Sequence, residues 1–550
     1  MPPFSTSDHV VIDFSVFIPG SKQNQNYIPS AVSGCDSKTS FVVYDWTSAD
    51  YNAINDQLKS FNWYELFGFN FNVDAIWEKF KLILWPIIDC FVPKKNIPHH
   101  KKYKPRFYPK HIRNLLNRKA AIWRTLKNNF SPDTKIRYHQ ISNLCKEAIR
   151  NFDADRESKL LDSNNLGAFY KFVNQKCSSS SGVAPLRGSG DTLLTDDLDK
   201  ANLLNSYFNS VFIIDDGKLP HFPSRFQPGP HKTLSDIDIS PTIISRTLGN
   251  LKTNSAAGPD KLPPIFFRKT SSSLSYPLSI IFRTFFDLHE LPAEWKTSII
   301  TPKFKKGSPS DPANYRPISL TCSCCKIMER LIAAEVIDFL NTHKLITKHQ
   351  HGFLKRHSTS TNLLESLNDW TISIAHKQPV VVAYINFQRA FDSISHSKLL
   401  HKLISYGIDG DLLFWIESFL SKRTHSVRVG SKLSNFLPVT SGVPQGSVLG
   451  PLLFNLFIND ITDCLDNAVI AKLFADDIKL YTEVSLPNSK TNFQFHLNLI
   501  SKWSSTWQIS ISHSKCSVLQ IGKHPDTNSY SLSDVTINHT DIATDLGVSM

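Results

Sequence analysis

The chain has 550 residues, 61 Lys and Arg against 48 Asp and Glu, a formal net charge of +13, and 41% hydrophobic residues. That composition excludes a disordered or collagen-like chain, and the length accommodates three or four structural units. The surplus charge is concentrated: Lys94 to Lys127 holds twelve basic residues and no acidic one, leaving 49 basic against 48 acidic residues elsewhere.

In chain order, Val10 to Ile18 alternates apolar and polar residues and reads as a strand, while Pro19 to Tyr44 is Ser-, Asn- and Lys-rich and reads as linker. From Tyr51 to Cys90, Leu58, Phe61, Leu66, Ile76 and Phe80 recur at helical spacing. The basic segment follows, with Arg113, Leu116, Ala120, Trp123 and Leu126 in helical register. Its Lys101, Lys102, Lys104, Arg106, Lys110, Arg113, Arg118 and Lys119 form a candidate nucleic-acid-binding arm, the alternative being a solvated face. A second helix is expected to start at Ser131-Pro132-Asp133 and to bury Ile136, Leu144, Ala148 and Phe152. Cys177 to Gly190 reads as a loop.

From about Leu248 onward, strands are expected at Ser298 to Ile300, Val380 to Ile385 and Leu473 to Phe474. Helical stretches lie between them, such as Asn362 to Ile374 with Leu363, Leu364, Leu367 and Trp370 on one face. This is an α+β pattern. The nine cysteines lack zinc-finger spacing, the trio Cys322-x-Cys324-Cys325 reads as small buried residues, and the chain opens without a charged n-region and apolar core. A reduced, intracellular protein without a secretion signal is expected. Leu82 to Val92, broken by Pro86 and Asp89, is too short to span a bilayer, so no membrane association is expected.

Three elements could carry chemistry. Asp476-Asp477 lies between strand-like runs, so two carboxylates meet at a tight turn, where they repel unless a divalent cation neutralises them; a solvated turn is the alternative. Asp215-Asp216 is followed by Gly217-Lys218-Leu219-Pro220, which cannot return as a strand. Ser441 to Pro451 carries Gly442, Gly446 and Gly450 ahead of an apolar helix, which permits close approach to a ligand or serves as an ordinary loop-to-helix connection. At Lys303 to Gly307 and Asn314 to Leu320, cations flank aromatics on a hairpin, which suits phosphate contacts and base stacking or a solvated face.

Read together, Leu291 to Lys296, Asn314 to Leu320, His351 to Thr359, Ala390-Phe391-Asp392-Ser393, Ser441 to Pro451 and Phe474 to Asp477 resemble, in order, the fingers and palm motifs of non-LTR (LINE-type, jockey-like) retrotransposon reverse transcriptases. The resemblance implies a right-hand polymerase fold with fingers and palm, a helical N-terminal extension and a largely missing thumb. It implies Mg²⁺ or Mn²⁺ as cofactor, and RNA template, DNA primer or target and deoxynucleoside triphosphates as partners. A ribonucleoprotein in nucleus or cytoplasm would follow. Asp476 and Asp477 would be catalytic and metal-binding, while the first palm position, where the family has a metal-binding Asp, holds Asn386. Phe391 would lie under the sugar, Gln445 and Gly446 beside the incoming nucleotide, and Arg316 and Lys305 on its phosphates; Asp392 would be structural, as a cap for the next helix.

Ser7-Asp8-His9 resembles the closing motif of an endonuclease-like domain, with Asp8 and His9 from its cleavage site. Ser514-Lys515-Cys516 resembles the motif after the catalytic hairpin. We therefore divide the chain into an endonuclease-like remnant (1–20), a linker with short helices (21–92), a basic helical segment (93–176), an N-terminal extension (177–247), fingers (248–379) and palm with the start of the following connection (380–550). Two functions follow: RNA-directed DNA polymerase with catalysis impaired by Asn386, or a catalytically inactive nucleic-acid-binding remnant of a retrotransposon reading frame. An aspartate-to-asparagine change removes the charge that attracts a cation.

Overall fold

The computed structural model describes residues 40–67, 72–98, 108–128, 131–162, 182–188, 190, 192–227, 232–484, 489–522 and 529–550. The expected strand at Val10 to Ile18, Asp8 and His9, and Lys101, Lys102, Lys104 and Arg106 lie outside the described residues. The chain divides into two units, residues 1–44 with 94–155 and residues 45–93 with 156–550.

In the first unit, β1 (Ser40–Tyr44) pairs antiparallel with β2 (Lys94–Pro98). The helices Lys110–Asn128 and Pro132–Asp162 lie side by side, Trp123 meeting Tyr138 at 5.1 Å and Tyr108 meeting Phe152 at 5.8 Å. The later helix starts with Pro in its first turn, as expected, but its inward face differs. Ile141 and Cys145 are buried while Ile136 and Leu144 are exposed. The aromatic contacts set that rotation, so the apolar residues nearest the cap are not those the packing selects.

In the second unit, the helix Val73–Phe91 is capped by Asn72, whose side chain accepts from Ala75 N–H. It buries Ile76, Trp77, Phe80, Leu84, Ile87 and Ile88 at helical spacing. Trp77 packs edge-on against Trp295 at 5.3 Å, and Trp295 also meets Phe282 and Phe285, so the Leu291 to Lys296 motif anchors the core.

Two sheets organise the rest. Their strands are β3 (Thr297–Phe304), β4 (Tyr315–Leu320), β5 (Val380–Asn386), β6 (Arg423–Val429), β7 (Leu437–Val439), β8 (Ile470–Phe474), β9 (Asp477–Glu483), β10 (Ser517–Ile521) and β11 (Asn538–Thr540). One sheet runs β7-β6-β3-β4, with β3 and β6 parallel and the other neighbours antiparallel. The other runs β8-β9-β5-β10-β11. Val380 to Ala383 on the central strand β5 are all buried, as a β-branched run covered on both faces should be. Among the described residues no helix is long and apolar enough to cross a membrane.

The helix Thr359–Ala375 departs from its expected face: it buries Asn362, Ser366, Trp370 and Ser373, while Leu364 and Leu367 are exposed. Its inner side meets polar partners. Asn362 donates to the Leu473 carbonyl at 3.1 Å, and Ser373 donates to Glu483 at 2.7 Å. Cys322, Cys324 and Cys325 are fully buried, and Cys322 Sγ donates to Asp260 at 2.8 Å at the start of the helix Ser323–Thr342.

Candidate active site

β8 and β9 form a hairpin in which Phe474 pairs with Asp477, leaving Ala475 and Asp476 as the connection. Ala475 has φ +56°, the left-handed conformation that costs a Cβ-bearing residue about 1–2 kcal/mol. On the other side of β9, Asp477 lies opposite Asn386, the last residue of β5. Asn386 Nδ2 donates to Asp477 Oδ1 at 2.8 Å. A carboxylate only accepts, so the N–H side of the amide must face it. Burial pushes the Asp476 carboxyl up, opposed by a backbone hydrogen bond and by Lys305, Arg316 and Lys515. Asp477 is also raised, by burial first and then by Asp476, against the hydrogen bond from Asn386.

Beside this turn opens a cleft of about 610 Å³. Lys305, Arg316, Phe391, Gln445, Gly446 and Asp476 all line it, so residues from β4, the hairpins and the 441–451 loop converge on one space. Asn386 and Asp477, hydrogen-bonded to each other, are not among the residues that line it. Burial, then the neighbouring Arg316 and Lys515, lowers the pKa of Lys305. Phe391 stacks on Phe454 at 4.3 Å and 13°, which gives the cleft a rigid aromatic face. Tyr315, in contrast, is buried with its hydroxyl donated to the Pro309 carbonyl at 2.7 Å, so it is not offered for base stacking.

The 441–451 loop is pinned by the protein itself. Ser319 N–H donates to the Gln445 carbonyl at 2.9 Å. Gly442 and Gly446 have φ of +83° and +112°, and a Cβ would lie 2.6 Å from the Phe391 carbonyl or 2.5 Å from the Ser319 carbonyl. These glycines are required by backbone packing as well as by proximity to the cleft. Gln445 Nε2 donates to Asp392 Oδ1 at 2.7 Å. Asp392 is therefore not a helix cap: Ser395 caps the helix His396–Ser405, its side chain accepting from Lys398 N–H. Burial raises the Asp392 pKa to about 6.

Sequence reasoning assigned no role to Lys515, Arg389 and Phe353, which also line the cleft. Lys515 sits in a segment singled out by wording alone, and Arg389 carries no periodic signal. Asp215 and Asp216 hold the helix His396–Ser405 in place: Asp215 accepts from Ser395 and Ser397, and Asp216 pairs with Lys398 at 3.0 Å. On the helix Lys110–Asn128 of the first unit, Lys110, Arg113 and Arg118 are exposed, and Lys119 lies over the Tyr138 ring at 5.6 Å.

Residues 303–540 match the family model described as reverse transcriptase (RNA-dependent DNA polymerase). The chain is 32% identical over 281 residues to the RNA-directed DNA polymerase from mobile element jockey of Drosophila melanogaster, covering 50% of this chain and 31% of that protein. It is 26% identical over 366 residues to the probable RNA-directed DNA polymerase from transposon X-element of the same species, covering 62% and 38%. The corresponding enzyme from transposon BS, again from Drosophila melanogaster, is 24% identical over 474 residues, covering 80% and 50%. Residues 303–540 thus match a reverse transcriptase domain, and the chain around them is similar to RNA-directed DNA polymerases of mobile elements.

It spans half the length or less of these relatives. A solved apo telomerase from Candida tropicalis aligns at TM-score 0.33 and 10% identity over 45% of this chain and 54% of that one, a likeness too slight to bear on the fold.

Polymerases that act through two divalent ions need carboxylates to hold both. In this reverse transcriptase domain the donors at the turn are Asp476 and Asp477, with an amide at Asn386 whose N–H faces Asp477. Among the described residues no group of three or more His, Cys, Asp or Glu is placed to hold a metal ion. Two carboxylates and one amide suit a single divalent cation completed by substrate oxygens, and do not suit a pair of ions.

Proposed function

We propose that residues 248–550 form the fingers and palm of a right-hand polymerase derived from a retrotransposon reverse transcriptase. The module holds an RNA template, a DNA primer or target and a deoxynucleoside triphosphate, and Asn386 impairs its nucleotidyl transfer. The observation that carries this reading is the hydrogen bond from Asn386 to Asp477, where an aspartate would have contributed charge. In support, Lys305, Arg316 and Lys515 surround Asp476 on one side of the cleft, a placement suited to neutralising a triphosphate. Phe391, backed by Phe454, suits a sugar, and Gln445, held by Asp392, keeps the loop beside it rigid.

A second reading, nucleic-acid binding without catalysis, is favoured by the same amide. Primer extension on an RNA template separates the two when the native chain is compared with Asn386→Asp. The variant is expected to extend faster by on the order of a hundredfold or more, the scale of one lost transition-state interaction. Equal rates in two active proteins would remove the assigned impairment. An inactive variant that still binds primer–template supports the second reading.

A further inference from the structure

Gln350 lies beside the carboxylate turn and contributes nothing to the cleft wall. It is 2% exposed, and a buried amide must find partners. Its Oε1 accepts from Ala475 N–H at 2.9 Å and from Gly352 N–H at 2.7 Å, while Nε2 donates to the Ala475 carbonyl at 3.5 Å. Both backbone groups of the residue before Asp476 thus end on one side chain. The main chain reinforces the contact. Leu473 N–H donates to the His349 carbonyl and His351 N–H to the Leu473 carbonyl, each at 2.9 Å, so the Gln350 segment runs parallel along the outer edge of β8.

The hairpin ladder cannot do this by itself. It pairs Phe474 with Asp477 and every residue below them, but leaves the two-residue connection to its own torsions. Such connections ordinarily place Gly or Asn where φ is positive, and this one has Ala475 at +56°. The approach is also close: a Cβ on Gly352 would lie 2.3 Å from Ala475 N. On its far side the same segment is tied to the helix behind the 441–451 loop, Asn455 donating to the Gly352 carbonyl at 2.8 Å.

We propose that Gln350 is the positioning residue of the Asp476–Asp477 turn. It holds Ala475 in its left-handed conformation by pairing both of its backbone groups and, through Gly352 and Asn455, registers the carboxylates against the 441–451 loop. The consequence for catalysis rests on the polymerase reading; the placement of the turn does not.

Hydrogen exchange of peptides spanning residues 470–484 tests the placement in the native chain and in Gln350→Leu. Protection at the turn is expected to fall about tenfold or more, while peptides from β3 and β6 keep theirs. In an Asn386→Asp background, Gln350→Leu is expected to lower kcat for primer extension on the order of a hundredfold, with KM for the nucleotide changed less than about threefold. Adding Ala475→Gly, which occupies positive φ without a clamp, should restore much of that kcat. A general stabiliser would show no such rescue.

Unchanged exchange at the turn in Gln350→Leu overturns the proposal, as does protection lost equally across both sheets. If Gln350→Leu does not fold, Gln350→Met, which also removes both the acceptor and the donor at similar volume, is read by the same criteria. If Asn386→Asp fails to extend a primer, the polymerase reading fails, and exchange alone decides the role of Gln350.

Discussion

Asn386 differs from aspartate by one amide group, and its neighbourhood shows what that exchange does. The amide pairs with Asp477 directly, so two strands that would otherwise end in mutually repelling carboxylates are joined by a hydrogen bond. The identity of residue 386 was legible in the sequence; that its N–H faces Asp477 was not, because 91 residues separate them. His425 is a second residue that only its surroundings explain. It is 2% exposed beside Phe212, Nε2 has no hydrogen-bond partner among the described residues, and burial pushes its pKa down from 6.5 to about 4. Between those values the unfolded chain takes a proton that the folded chain refuses, so stability falls as pH falls.

The cost of that refusal is about 3 kcal/mol once pH reaches 4. Asp392, raised to about 6 in the same small cavity, acts in the opposite sense, since the folded chain binds its proton first as pH falls. Comparison with His425→Phe cancels the Asp392 contribution. In urea titrations from pH 7 to pH 4, the native chain should lose about 3 kcal/mol relative to the variant. A pH-independent gap would show that His425 does not resist protonation.

Among the elements, the helix Leu449–Ile458 depends on a residue outside its own sequence. Val448 at the cap position offers no polar side chain; Ser447 Oγ accepts from Gly450 N–H at 2.9 Å, and the fully buried Glu329 accepts from the two earlier donors, Val448 N–H at 2.6 Å and Leu449 N–H at 3.0 Å. A carboxylate at a helix N-terminus offsets both the orphan donors and the dipole. Glu329→Ala should destabilise by about 3 kcal/mol, because two N–H groups lose their partner. Glu329→Gln, which retains an acceptor, should cost less than half of that. Chemical denaturation measures both, and equal losses would mean that the charge of Glu329, rather than the acceptor that Gln retains, is what matters.

An apolar run located this helix, helical spacing pointed to short helices between Tyr51 and Cys90, and a Ser cap with Pro in the first turn located the start of Pro132–Asp162, because these signals are local. Periodicity misassigned the faces of Thr359–Ala375 and Pro132–Asp162, because which stripe turns inward depends on what lies opposite. For Thr359–Ala375 the opposing groups are the Leu473 carbonyl and Glu483, which select Asn362 and Ser373 over leucine. Ser395 displaced Asp392 as a cap for a similar reason: Asp392 is already engaged by Gln445.

For the molecule as a whole, the charge surplus and the candidate active site belong to different units. Lys110, Arg113, Arg118 and Lys119 lie on a helix of the first unit, whereas the carboxylate turn belongs to the second. If the helix binds duplex DNA, replacing these four with Gln should weaken binding and lower the slope of log K against log salt by roughly 3.6. An unchanged slope would make the helix face merely solvated.

The sequence by itself determined what is local or compositional. That includes the concentration of charge, a strand at Val380 to Ile385, the ordered motifs that resemble a reverse transcriptase, and the missing carboxylate at position 386. Tertiary structure alone decided which polar groups satisfy one another: Gln350 with Ala475, Glu329 with the helix at 449, Asn386 with Asp477. Side-chain spacing along a strand or helix reports neighbours two to four residues away, whereas a buried donor is satisfied by whichever acceptor folding brings within 3 Å. The linear order carries no record of that partner.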